Sequence, residues 1–348
     1  CGGLMHHDPK EEYLRYWYYQ NRFCMPFAED EAPVHFLVEF SRGGRFYEYS
    51  VNIDGEGIKN EALYLIRGNR LRPQVIFLRT RDKVEFNREL SINEADVTLL
   101  VQQMESNPET SVLVINANLR YVDNDDIINA QAWFRENLEV SCHDMTMPEL
   151  MDMYCNMPSI LEFTNTALRN IGVGCTVAIV ESQPSEWLRR NVRSMDRTVL
   201  DLFENGKISP TIHSYDTPDM VIRSVGRRKV IREMEFVHSG MGGYEYRAKA
   251  CEESQGTIRL LTILAILYRS IHEDRTFVVD DMERNINAAT FRDLLKYFCE
   301  STANGQLIYT TNSLMTMNQQ EMTRIDEINI LNARMKAMDT AISSGVTA

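Results

Sequence analysis

The sequence predicts a mixed α/β protein in which a parallel sheet carries the functional edge and an antiparallel β-lobe precedes it. Three observations point there. From Val34 to Leu78 apolar residues recur with a period of two, punctuated by Arg42-Gly43-Gly44 and Asp54-Gly55-Glu56-Gly57, the pattern of an antiparallel meander. Glu253 to Thr257 opens a strongly apolar helix over Ile258 to Tyr268, so hydroxyls and backbone N–H groups face outward from a helix N-terminus, which suits an anion. Thr276 to Asp281 is a short apolar run ending in two carboxylates, as a buried parallel strand would deliver to the carboxyl edge of an α/β sheet.

Composition sets the limits. With 348 residues, 44% apolar content and 25% charge, the chain can bury one large core with an inserted subdomain, or two smaller ones. A net charge of −13 argues against a general nucleic-acid coat, although it leaves room for a local basic patch. The seven cysteines form no Cys-x-x-Cys pair, the mark of reduced thiols in a long chain. No apolar run approaches the ~18 residues needed to cross a bilayer. No membrane partner is expected, and the expected compartment is the cytoplasm.

In chain order, the aromatic cluster of residues 11–23 sits at helical spacing and reads as a buried stripe rather than a base-stacking surface. Strands are predicted at Val34 to Phe40, Arg45 to Ile53, Glu61 to Ile66 and Val75 to Leu78. A helix is predicted over 91–107, and Ser111 to Asn116 suits either state. Asn124-Asp125-Asp126 starts a helix over Ile127 to Leu138. Asp123, Asp125 and Asp126 lack the spacing of a calcium loop and read as solvated caps. Met147 to Asn170 reads as mostly helical, Cys175 to Val180 as a strand, and Pro184 to Phe203 as a helix bearing Arg189, Arg190, Arg193 and Arg197. With Arg223, Arg227, Arg228, Lys229 and Arg232 it forms either solvated faces paired with local carboxylates or a patch for nucleic acid or a partner. Arg227 to His238 and Tyr244 to Cys251 flank a Gly-rich turn and predict a hairpin that stiffens the loop at Glu253. Ala288 to Glu300 is an amphipathic helix, Gln306 to Thr311 the next parallel strand, and Ile325 to Ile330 a last short one.

The paired acids admit different roles: Asp280 can hold a hydrated Mg²⁺ beside nucleotide phosphates, and Asp281 can orient or deprotonate a water. With Glu253-Ser254-x-Gly256-Thr257 ahead of them, Arg284 to Ala288 behind them and a strand running into Thr310-Thr311-Asn312, the chain resembles the ABC/SMC-like ATPase domain of AAA-type ATP-binding proteins of the abortive-infection and OLD kind. Val38-Glu39-Phe40, Tyr47-Glu48-Tyr49, Glu235-Phe236-Val237-His238 and Arg324 to Ile328 extend the likeness over nearly the whole chain. The resemblance implies a P-loop NTPase sheet with an antiparallel β-lobe and a helical insertion. It divides the chain into 1–140, an N-terminal β-lobe with helices; 141–225, the helical insertion; and 226–348, a lobe with signature, Walker B, D-loop and switch strand.

It further implies ATP and Mg²⁺ as ligands and hydrolysis between two copies. Glu253, Ser254, Gly256 and Thr257 would form the signature that meets ATP in trans, Asp280 would hold the metal, and Asp281 and Asn312 would position water. Asn285 to Asn287 would cross the dimer axis. Family members often act in phage defence beside a separate effector. The sequence departs from the family in three places. Gly-x-x-x-x-Gly-Lys-Ser/Thr is absent, Gly206-Lys207-Ile208-Ser209 being a poor match, so the chain is expected to be a fragment whose first strand and phosphate loop lie upstream of Cys1 and whose C-terminal pattern is cut short. Asp281 replaces the usual Glu and is one methylene shorter. Asn312 replaces a switch His and carries no proton near neutral pH. Two readings follow: an ATP-hydrolysing switch or motor, or a pseudo-ATPase serving as a nucleotide-responsive scaffold. A nuclease built on Asp280 lacks a second metal ligand.

Overall fold

The computed structural model describes residues 33–68, 73–90, 92–141, 145–191, 220–225, 228–301 and 304–314. The aromatic segment 11–23, the string 206–209, Arg193, Arg197, Arg227, and the predicted strand at 325–330 lie outside the described residues. The chain forms two compact units, residues 1–140 and 141–348.

In the first unit five strands, β1 (Val34–Arg42), β2 (Arg45–Asp54), β3 (Gly57–Ile66), β4 (Gln74–Thr80) and β5 (Val84–Phe86), follow one another as an antiparallel meander. Gly43 and Gly44, at φ 62° and 72°, form the two-residue turn that joins β1 to β2, a conformation costly for any residue with a Cβ. The period-two pattern has its expected effect: Tyr47, Tyr49, Val51 and Ile53 of β2 all face inward. Helices α1 (Glu94–Ser106), α2 (Val112–Leu119) and α3 (Asp125–Ala132) contribute Leu100, Met104, Leu113 and Ile127 to the same core. The ambiguous stretch after Ser111 is α2, capped by the Ser111 hydroxyl accepting from the Val114 N–H at 3.1 Å. A π-helical turn over Trp133–Asn137 continues α3 and sets Trp133 against Phe40, ring centroids 4.5 Å apart.

Two polar features of this core were not visible in the sequence. Asp126 is not a solvated cap: it is 8% exposed and accepts hydrogen bonds from Tyr47 Oη (2.9 Å) and Arg45 (2.7 Å). The cap is Asn124, whose side chain accepts from the N–H groups of Asp126 and Ile127. Deeper still, Arg79 pairs with Glu61 at 3.2 Å, their side chains 1% and 0% exposed.

The strand β6 (Leu138–Ser141) crosses the division between the units. In the second unit, α4 (Met147–Asn156), α5 (Pro158–Asn170), β7 (Cys175–Ser182) and α6 (Pro184–Asn191) precede β8 (Met220–Val225), β9 (Arg228–Ser239) and β10 (Glu245–Lys249). The region expected to be a helical insertion thus contains the predicted strand, β7, and a second one, β8, and both pair with β9, as does β10. Arg232, from the second basic cluster, is spent locally on Glu181 (3.0 Å) and the Cys155 carbonyl (3.1 Å). The central helix is α7 (Gln255–His272), in which Leu260 to Leu267 are all buried. It is followed by β11 (Thr276–Val279), α8 (Ala288–Cys299) and β12 (Gln306–Tyr309), with β11 and β12 parallel and Val279 opposite Tyr309. No described helix is long and apolar enough to cross a membrane.

Candidate functional site

The first half of the candidate site is the start of α7. Ser254 takes an extended backbone (φ −69°, ψ 147°), and its Oγ accepts from the Thr257 N–H at 3.0 Å, an N-cap in which a hydroxyl satisfies one of the first-turn donors. Ser254 Oγ also lies 2.9 Å from Thr257 Oγ1. Ser254 and Gln255 are exposed, so the positive end of an 18-residue helix opens to solvent. Glu253 faces the other way. Its side chain is only 7% exposed and is hydrogen-bonded to His238 Nε2 at the end of β9, so it anchors the loop to the hairpin. Cys175 lies close enough to feel this carboxylate: burial pushes its thiol up to about 11, and the Glu253 charge adds to the rise.

The second half is the carboxyl end of β11 and β12. Asp280 is exposed; its N–H donates to the Ser141 carbonyl (3.1 Å) and its Oδ1 accepts from the Thr310 hydroxyl (2.5 Å). The same hydroxyl oxygen accepts from the Asp281 N–H at 2.8 Å. Thr310, one residue past β12, therefore joins both acids to the neighbouring strand. Asn312 is exposed, and its N–H donates to Glu283 Oε1 at 2.5 Å.

The halves are linked within one chain. Asp281 sits at φ 48° and Asn285 at φ 63°, left-handed backbone that folds 281–286 into a tight turn. Its carbonyl bonds are Arg284 N–H to Asp281 (3.1 Å) and Ile286 N–H to Glu283 (2.8 Å). That turn lies against α7: a Cβ on Gly256 would fall inside 3.0 Å of the Asn285 carbonyl oxygen, closer than real Cβ atoms come. Asn285 Nδ2 reaches Gln255 Oε1 at 3.4 Å, and Arg259, 2% exposed, donates from Nη2 to the Asp281 carbonyl at 3.3 Å.

The structure thus brings Asp280, Asp281 and Asn312 to one sheet edge and sets Ser254, Gly256 and Thr257 at an exposed helix start next to the turn that follows. Sequence reasoning missed Thr310, Glu283 and Arg259 as site residues. Thr310 stood inside the quoted Thr-Thr-Asn run, and Arg259 was the one charge in the predicted apolar helix, a signal that could have been used.

As a metal site the edge has one well-placed carboxylate. Among the described residues no three His, Cys, Asp or Glu side chains gather to hold an ion. A hard cation that keeps several waters and takes its remaining oxygens from phosphates suits such a site; an ion needing an all-protein cage does not.

Residues 178–318 match a family model described as "AAA domain, putative AbiEii toxin, Type IV TA system". This segment is therefore similar to an AAA-type domain. It contains every residue of the candidate site. Among solved structures, the chain is similar to an Smc head bound to the C-terminal winged-helix domain of ScpA (9% identity, TM-score 0.34, covering 80% of this chain and 63% of that one). It is also similar to an Smc head domain with an extended coiled coil bound to the C-terminal domain of ScpA derived from Pyrococcus furiosus (10% identity, TM-score 0.27, covering 64% and 43%). The chain therefore spans less than two thirds of each of these proteins. No curated protein matches it.

Proposed function

We propose that the protein binds ATP between two copies and hydrolyses it slowly, so that nucleotide acts as a reversible clamp between them. The observation that carries this reading is the Thr310 hydroxyl, which fixes Asp280 and Asp281 together at the end of two parallel strands. In the proposed complex Asp280 holds Mg²⁺, which when bound neutralises phosphate charge. Asp281 and Asn312 face the water side. The exposed Ser254 hydroxyl and the first-turn N–H groups of α7 supply donors for the terminal phosphate held by the other copy. Because the bonds from one copy to the terminal phosphate held by the other form only when nucleotide is present, ATP stabilises the dimer and its loss releases it. Such a clamp suits a switch for an effector protein in a cytoplasmic, abortive-infection type of phage defence.

Asp281 and Asn312 favour a second reading, a nucleotide-responsive scaffold without turnover. Asp281 is shorter than the Glu of the resembled family, and Asn312 cannot carry a proton. Phosphate release by the full-length protein separates the two. Turnover raised by Asp281→Glu and lowered by Asp281→Asn to a small but measurable residue supports the enzyme. If wild type and Asp281→Asn are both at background while ATP still drives dimerisation, the scaffold reading replaces it.

A further inference from the structure

The turn that begins at Asp281 is gripped from two sides. Thr310 holds the Asp281 N–H from the strand side at 2.8 Å. On the helix side, Arg259 holds the Asp281 carbonyl at 3.3 Å from within the first turn and a half of α7. Asp281 itself is in the left-handed region at φ 48°, a conformation a residue with a Cβ keeps only when its surroundings impose it. A guanidinium that is 2% exposed has little freedom to follow a displaced partner. The helix start and the turn also touch through Gly256 and Asn285, leaving no slack between them.

We infer that Arg259 is a positioning residue: it ties the backbone of Asp281 to the helix opened by Ser254, so that the phosphate-facing loop and the acids of the same copy move as one piece. This rests on the proposed ATPase reading and adds to it. Under that reading a copy's Ser254 loop serves one nucleotide and its Asp281 the other, so the Arg259 contact is a physical route by which occupancy of one site sets the geometry of the second. A misplacement of about 1 Å is enough to cost a reaction up to about 100-fold while leaving binding contacts largely in place.

The test uses the full-length protein and the variants Arg259→Met, close in length and apolar, and Arg259→Lys, which keeps a donor. Expected are a fall in kcat of about tenfold for Arg259→Met with KM for ATP within twofold, and a partial return in Arg259→Lys. In an Asp281→Asn background, Arg259→Met is expected to lower the residual rate no further. Equal losses in kcat and in ATP affinity, or a full tenfold loss added on top of Asp281→Asn, would overturn the assignment. If wild type shows no turnover, the ATPase reading falls by itself, and hydrogen exchange then decides the clamp. The amides of residues 281–286 exchange faster in Arg259→Met than in wild type if Arg259 holds the turn, and at the same rate if it does not.

Discussion

Arg79→Met tests the buried ion pair of the first unit, and its size follows from the bonding around Glu61. Arg79 Nη1 donates to Glu61 Oε2 (3.2 Å) and to the Thr110 carbonyl (2.6 Å), and Nη2 donates to the Pro108 carbonyl (3.3 Å). Methionine fills similar space but removes all three. Pro108 keeps a donor in the Ile58 N–H (3.0 Å), and Glu61 keeps Tyr49 Oη (2.9 Å) and the Val112 N–H (2.9 Å), so the main loss is the charge opposite a fully buried carboxylate. Breaking one side of such a pair costs about 3–5 kcal/mol, a large part of a domain's ~5–15 kcal/mol. The cost depends on pH in a definite direction. Burial already holds the Glu61 carboxyl above its usual range, with Arg79 opposing; without Arg79 it rises further. A carboxyl whose folded pKa is raised keeps a proton that the unfolded chain gives up, so its stabilising contribution is present at low pH and is lost as pH rises through that window. The deficit of Arg79→Met relative to wild type should therefore be smaller near pH 5 than near pH 7.5, with each pH unit in the window worth at most about 1.4 kcal/mol. Urea unfolding, followed by circular dichroism and by the fluorescence of buried Trp133, measures it. A deficit under about 1 kcal/mol, or one that widens toward acid, refutes the account.

Other outcomes are checked more simply. Gly256→Ala should destabilise the second unit by about 1–3 kcal/mol, the range for an overpacked contact; Gly174→Ala, with nothing near its Cβ, should be neutral, and thermal melts compare the two. Asp280→Asn should lower phosphate release at least 100-fold, since an amide replaces the charged ligand of the cation. Thr310→Val, which removes the hydroxyl bridging the acids, should lower kcat about tenfold with melting temperature changed by only a few degrees. Iodoacetamide should label exposed Cys251 and Cys299 well before buried Cys155 and Cys175, read by mass spectrometry of partly alkylated protein.

The meander was legible because its first two strands turn one face inward, which forces a period of two, and because Gly43-Gly44 can form the turn that its neighbours cannot. α7 and β11 were legible for the same kind of reason, being apolar runs with clear caps. The stretch after Ser111 could not be assigned because Val-Leu-Val-Ile, buried on every side, has no period to read; the Ser111 cap and the Asn116 side chain, bonded to the Val122 N–H (2.7 Å) and carbonyl (2.9 Å), decide it for helix. Asp126 was misread since nothing local announces that Tyr47, 79 residues earlier, points at it. At the site, the acids and the Ser254 loop were visible as motifs. Their attachment through Thr310, Glu283 and Arg259 was not, because those bonds join positions 22 to 30 residues apart that only the fold makes neighbours.

An 18-residue α-helix is about 27 Å long, and α7 is sheathed from Leu260 to Leu267 by side chains at most 5% exposed. A rod so encased cannot buckle, because the surrounding interior hardly compresses. A small axial displacement at Ser254 is then carried along the helix toward its other end, where Tyr268 Oη meets Ser159 Oγ at 2.8 Å. A reporter dye at position 159 would then sense what happens at the far mouth of the helix without ever touching it.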